Sequence, residues 1–140
     1  MVYSFESFVQ SHFSSSEIKG DDTFNVIKSV CEEIYTSNGS IKVNELEDQL
    51  KINRQLLNKK FKSQVHYTIK QFIMIVRIVI AVKYKIDHPD NPLTFLAHKF
   101  NYTDQSNFNN DFRKVCGLAP TVFFINLPIF LNPSAGSDPL

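Results

Sequence analysis

The run Ile69–Asp87, IKQFIMIVRIVIAVKYKID, constrains this chain more than any other stretch. It is dense in Ile and Val and holds neither Gly nor Pro. Periodicity alone does not separate a buried helix from a buried strand, but about nineteen residues is far beyond the usual strand length. Lys70, Arg77, Lys83 and Lys85 punctuate it with charge. Its least interrupted part, Phe72–Val82, still carries Arg77 and falls well short of the ~20 residues that span a bilayer. The stretch predicts one long helix, buried on most of its surface, and no membrane span.

Two similar segments flank that helix. Leu57 and Phe61 precede it and Phe108 and Phe112 follow it, each pair with the same helical spacing. Phe61 to Phe72 and Phe112 to Phe123 are both steps of 11, and a basic residue, Lys62 or Arg113, follows each second Phe. Leu46 to Phe61 is a step of 15 and Leu96 to Phe112 one of 16, so the copies differ by one residue in the turn. The arrangement is two divergent copies of one supersecondary unit joined by a helix.

Read in order, the chain gives further helix signals. Met1–Gly20, with Phe5, Phe8, Phe13 and the run Ser14–Ser16, is an N-terminal extension: a short helix or the remnant of a preceding segment. Asp21, Asp22 and Thr23 offer capping oxygens to a helix whose apolar face is Phe24, Ile27, Cys31 and Ile34. Ser37-Asn38-Gly39 ends it, with Gly39 free to take positive φ. Val43–Leu50 is a short helix with Val43, Leu46 and Leu50 inward, and Lys51–Ile52 is a turn. Asn53 then caps a helix to about Ser63. After the long helix, Asn91 is expected as an N-cap with Pro92 at the first helical position of a helix over Leu93–Lys99. Thr103 is expected to cap Asp104–Val115, Gly117 to stop it, and Pro120 to begin a last helix through Phe124.

These signals describe an all-α fold of about seven helices, with two helix-turn-helix subdomains joined by a long central helix. The first motif spans about 43–63, the linker helix 69–87 and the second motif about 93–115, inside a domain covering 21–124. The tail 125–140 contains Pro128, Pro133 and Pro139; NPSAGSDPL reads as disordered, and INLPIFL as a segment that packs back on its own domain or forms an apolar contact patch, the former favoured.

The formal charge of +1 hides an asymmetry. Residues 1–40 hold two Lys against six acids, whereas residues 41–124 hold thirteen Lys/Arg against seven. A basic body suits a polyanionic partner. Cys31 and Cys116 share no metal-ligand spacing, so each is expected as a buried thiol, and neither a metal site nor a cofactor is expected. His12, His66, His88 and His98 are scattered without a nucleophile–base pattern, which argues against an enzyme. MVYSFESFVQ lacks a basic region followed by an apolar run, leaving the cytoplasm as the expected compartment.

A helical wheel on the second copy puts Phe108, Phe112 and Val115 in one sector. Ser106, Asn110 and Arg113 lie opposite, flanked by Asn107, Asn109 and Lys114. On the first copy, Leu57, Phe61 and Gln64 face one way, with Gln55, Lys59 and Lys62 opposite and Asn58 beside them. Both outward faces combine amides with cations. Amides can pair bidentately with adenine, and Arg or Lys can reach guanine or phosphate. The helix N-termini at Asn53 and Thr103 add N–H groups suited to phosphate oxygens. Most solvated helices carry a similar face; the duplication is what favours a pair of readers.

The run Leu96-Ala97, Tyr102, Asp104-Gln105-Ser106, Phe108, Phe112-Arg113-Lys114, Gly117-Leu118-Ala119-Pro120 resembles the second helix-turn-helix of AraC-type transcription regulators. Arg77 with Ala81 resembles that family's linker helix. The likeness covers about Asp22–Phe124. It implies recognition helices in successive major grooves of double-stranded DNA, with base-contacting positions on Gln105, Ser106, Asn107, Asn109 and Asn110, and on Arg54, Gln55, Asn58 and Lys59. Arg113 and Lys62 join them as the cations of the two faces. The resemblance also admits RNA polymerase as a further partner and a homodimer formed through a missing or N-terminal segment. The first copy departs from the pattern: Glu47 replaces a small Ala, Lys51 and His66 replace Gly, and Ile69 replaces Pro. In the second, Asn101 stands at the turn Gly. The alternative is a helical protein–protein interaction module with a degenerate first motif, to which Glu47, Lys51 and the apolar INLPIFL lend support.

Overall fold

A computed structural model describes residues 22–128. The N-terminal extension with its aromatic residues, serine run and His12, the capping candidate Asp21, and the tail from Ile129 onward lie outside the described residues. The described residues form seven helices and no strand. They are α1 (Asp22–Thr36), α2 (Val43–Leu50), α3 (Arg54–Val65), α4 (Ile69–Asp87), α5 (Leu93–Lys99), α6 (Gln105–Cys116) and α7 (Pro120–Ile125). They divide into two compact units, one ending at Ile80 and one starting at Ala81, so α4 begins in the first and ends in the second. Among the described residues no single helix is long and apolar enough to cross a membrane.

In the first unit, α1 buries Ile27, Val30, Cys31 and Ile34, which recur at helical spacing. Ile41, Leu46, Leu57, Phe61, Val65, Ile69, Phe72, Ile73 and Val76 complete one core, against which Phe24, Val43 and Leu50 pack half-buried. Gly39 takes φ +71°, as its position after α1 predicts, and a Cβ there would lie 2.9 Å from the Cβ of Arg77. The Gly39 carbonyl accepts from Arg77 Nε at 2.9 Å and Nη2 at 2.6 Å. The turn after α1 is thus held by α4, at a point where only glycine fits.

Asn53 caps α3 as expected, accepting from the Gln55 N–H at 2.8 Å. The helix runs two residues past Ser63, because buried Val65 draws the last turn into the core before His66 closes it at φ +68°. Helix α4 has the predicted bounds but a narrower buried stripe. Ile69, Phe72, Ile73, Val76, Ile78 and Ala81 are buried, whereas Val79 and Ile86 are 46% and 42% exposed. With Ile and Val on every side, composition does not mark which face is inward.

In the second unit, two predicted caps move by one residue. Pro92 itself is the N-cap of α5, with φ −68° and ψ 159°, and Leu93 is the first helical residue. Asn91 is used elsewhere: its Nδ2 donates to the Tyr84 hydroxyl at 3.2 Å, and its carbonyl accepts from Lys85 Nζ at 2.6 Å. Helix α6 is capped by Asp104, whose Oδ1 accepts from the Asn107 N–H at 2.8 Å, and not by Thr103. Gly117 ends the helix at φ +78°, and Pro120 opens α7 at its first turn.

The repeat read from sequence is present in space. The Phe61 and Phe72 rings meet edge-on at 5.4 Å, and those of Phe112 and Phe123 at 5.3 Å. The caps Asn53 and Asp104 match at the same offset as these rings, as do the left-handed residues His66 and Gly117. Upstream the offset falls by one: Lys51 and Asn101, at φ +53° and +64°, are the matched turn residues. The residue added in the second turn is Thr103, which accounts for the displaced cap.

Candidate nucleic-acid interface

Each unit holds a short helix, a turn through a left-handed residue, and a capped twelve-residue helix: α2–α3 and α5–α6. The apolar stripes Leu57/Phe61/Val65 and Phe108/Phe112 are inward and fix which sides of α3 and α6 remain outward. On α3, Gln55, Lys59 and Lys62 are exposed. On α6, Ser106, Asn107, Asn110 and Arg113 are exposed and Gln105 is half-buried. Lys114 lies 3.7 Å from Asp111, which also accepts from the Tyr102 hydroxyl at 3.2 Å.

Two of the expected readers are turned inward. Asn58 is half-buried, and its Oδ1 accepts from the Ile69 N–H at 3.3 Å, at the first turn of α4. Asn109 is half-buried, and its Oδ1 is enclosed without a hydrogen-bond partner. Bidentate adenine reading needs the acceptor and the donor of one amide together, so neither residue offers it in this conformation. Their matched positions explain the difference. Ile69, the donor to Asn58, corresponds to Pro120, which has no N–H. The second copy keeps the amide and lacks its donor.

Arg54 is exposed but engaged. Its Nε and Nη2 reach a single oxygen of Glu47, at 3.1 and 3.0 Å. The matched residues in the second unit, Gln105 and Ala97, carry no charge. The leading helices differ accordingly: α2 holds Glu45, Glu47 and Asp48, whereas α5 holds His98 and Lys99 and no acid. The second helices of the two motifs differ the other way, with Arg54, Lys59, Lys60 and Lys62 on α3 against Arg113 and Lys114 offset by Asp111 on α6. The N-terminus of α6 carries the Asp104 carboxylate, which opposes a phosphate there; neutral Asn53 on α3 does not.

Sequence reasoning missed three contacts that shape the site: Glu47–Arg54, Asn58–Ile69 and Arg77–Gly39. Only the first had a local signal, opposite charges flanking a tight turn. Burial disfavours the nucleophilic thiolate at both cysteines. Burial, reinforced by Glu32, pushes the Cys31 thiol up to about 12, and burial also raises half-buried Cys116. Among the described residues no group of three His, Cys, Asp or Glu could hold a metal ion. His88 stacks on Tyr84 at 4.1 Å, and His66 serves as a helix end.

A family model described as a helix-turn-helix domain matches residues 46–125, from α2 to the last residue of α7. The chain belongs to the AraC-type helix-turn-helix family. The match starts within α2, after α1, and runs through α3, α4, α5 and α6 to the end of α7. A curated relative, the Msm operon regulatory protein of Streptococcus mutans serotype c, is 25% identical over 118 residues. The alignment covers 84% of this chain and 41% of that protein, so the chain spans under half of its relative's length. No solved structure gives a significant match.

Proposed function

We propose that residues 21–124 are the duplex-DNA-binding domain of a transcription regulator, with α3 and α6 as recognition helices in successive major grooves. The observation that carries this reading is the outward face of α6, where Ser106, Asn107, Asn110 and Arg113 are exposed around a core-facing Phe108/Phe112 stripe. Lys59 and Lys62 on α3, with Arg113, supply phosphate contacts, and Gln55, Gln105, Asn107 and Asn110 read bases, with a leaning toward A·T pairs. The relative's name supports regulation as the biological role. RNA polymerase and a dimerising segment belong to the same reading, as does action in the cytoplasm.

Fluorescence anisotropy of mixed-sequence duplexes, titrated at several salt concentrations, tests it. The expected result is micromolar or tighter binding that falls steeply with log salt. Absence of binding at low salt, with the monomer and with a dimer-forcing fusion, would favour the protein-interaction module instead. Asn110→Ala should relax base choice at one position, whereas Lys62→Ala should weaken every site alike and lower the salt slope by about one.

A further inference from the structure

The Glu47–Arg54 pair is the one charged contact that joins a leading helix to a recognition helix among the described residues. Arg54 is the first residue of α3, the end of a recognition helix that meets base edges. One carboxylate oxygen accepts from Nε–H at 3.1 Å and pairs with Nη2 at 3.0 Å, along the side edge of the guanidinium. That leaves the end edge, with one N–H from each Nη, unclaimed by Glu47. The end edge presents two parallel donors, a fork that can pair with O6 and N7 of guanine. Glu47 is largely covered, at 23% side-chain exposure, while Arg54 is 56% exposed, so the carboxylate sits behind the arginine and the arginine faces outward. A long side chain at the start of a helix ordinarily samples several rotamers; a hydrogen-bonded partner removes that freedom before DNA arrives.

We infer that Arg54 reads a guanine and that Glu47 is its positioning residue, so that the two motifs read different bases at matched positions. In the second unit Gln105 and Ala97 replace the pair, and a glutamine at that place suits adenine. The inference rests on the DNA-binding reading above and adds base identity to it. The acidic residue that departs from the family pattern therefore serves recognition.

The test uses the 140-residue chain and a duplex selected by it from a random library. Binding is measured to that duplex and to its single-base variants, for the wild type, Glu47→Gln, Glu47→Ala and Arg54→Gln. The wild type should prefer G at one position by about tenfold or more, the scale of one bidentate contact. Arg54→Gln should move that preference toward A. Both Glu47 variants should reduce it severalfold and leave preferences at the α6 positions unchanged. If the Glu47 variants tighten binding to every variant duplex equally, the carboxylate is a competitor for Arg54 and the inference fails. It fails too if the G preference survives Arg54→Gln. A wild type that binds no duplex overturns the DNA reading itself, and this proposal with it.

Discussion

The two units solve one packing problem with different residues. Each sets an edge-on Phe pair between the second helix of its motif and the next helix, at 5.4 Å in the first and 5.3 Å in the second. Each turns its motif through a left-handed residue and ends the motif's second helix on another. The second uses Asn101 and Gly117 there, residues that favour positive φ; the first uses Lys51 and His66, whose Cβ makes that conformation more costly than it is for glycine. The first also spends Asn58 on the N-terminus of α4, whereas Pro120 leaves Asn109 without that bond. Geometry at these positions is dictated by the fold, and side-chain identity can drift provided the backbone shape survives. A motif that is degenerate in sequence thus keeps its geometry in space.

The largest effects should come from what the units share. Phe61→Ala and Phe112→Ala each empty a fully buried site and should each cost about 3–5 kcal/mol of stability. Denaturant unfolding monitored by circular dichroism measures both. A loss at Phe112 below ~1 kcal/mol would break the equivalence of the two cores.

Next comes the contrast between the matched amides. Asn58→Ala removes a made hydrogen bond and should destabilise by about 1 kcal/mol. Asn109→Ala removes an enclosed, unpaired oxygen and should be neutral or stabilising. Equal losses in the two variants would show that Asn109 has a partner after all.

Relief of left-handed strain should be smaller. Lys51→Gly and His66→Gly should each stabilise by roughly 0.5–1 kcal/mol, and Asn101→Gly by less. A shift of the thermal midpoint upward by a few degrees is the expected sign. Smallest of all is the chemistry of the thiols. With its thiol pushed up to about 12 by burial, Cys31 should resist alkylation at pH 8 in the native protein and react only on unfolding.

Much of this was legible in the sequence because repetition makes its own internal test. The steps of 11 between Phe pairs, the glycines at 39 and 117, and Pro120 all name positions where one residue type fits one geometry. Caps were less legible. Thr103 stands beside Asp104, a cap at least as good; Asn91 is the better side-chain cap, yet Pro92 takes the position with no side-chain hydrogen bond; and the inserted residue in the second turn is invisible to a rule applied one helix at a time. Reader identity was least legible. A helical wheel places Asn58 and Asn109 at the edge of the outward face, and only the position of the following helix decides that their oxygens point inward. The Arg54–Glu47 pair needed the turn geometry as well as the charges.

Hydroxyl-radical footprinting of the chain on its selected duplex decides whether both α3 and α6 engage DNA. Two recognition helices in successive major grooves predict two protected patches on one face of the DNA, about one helical turn apart. Arg54→Gln should alter base preference under one patch alone. A single patch would contradict a two-reader domain, leaving α6 as its only reader.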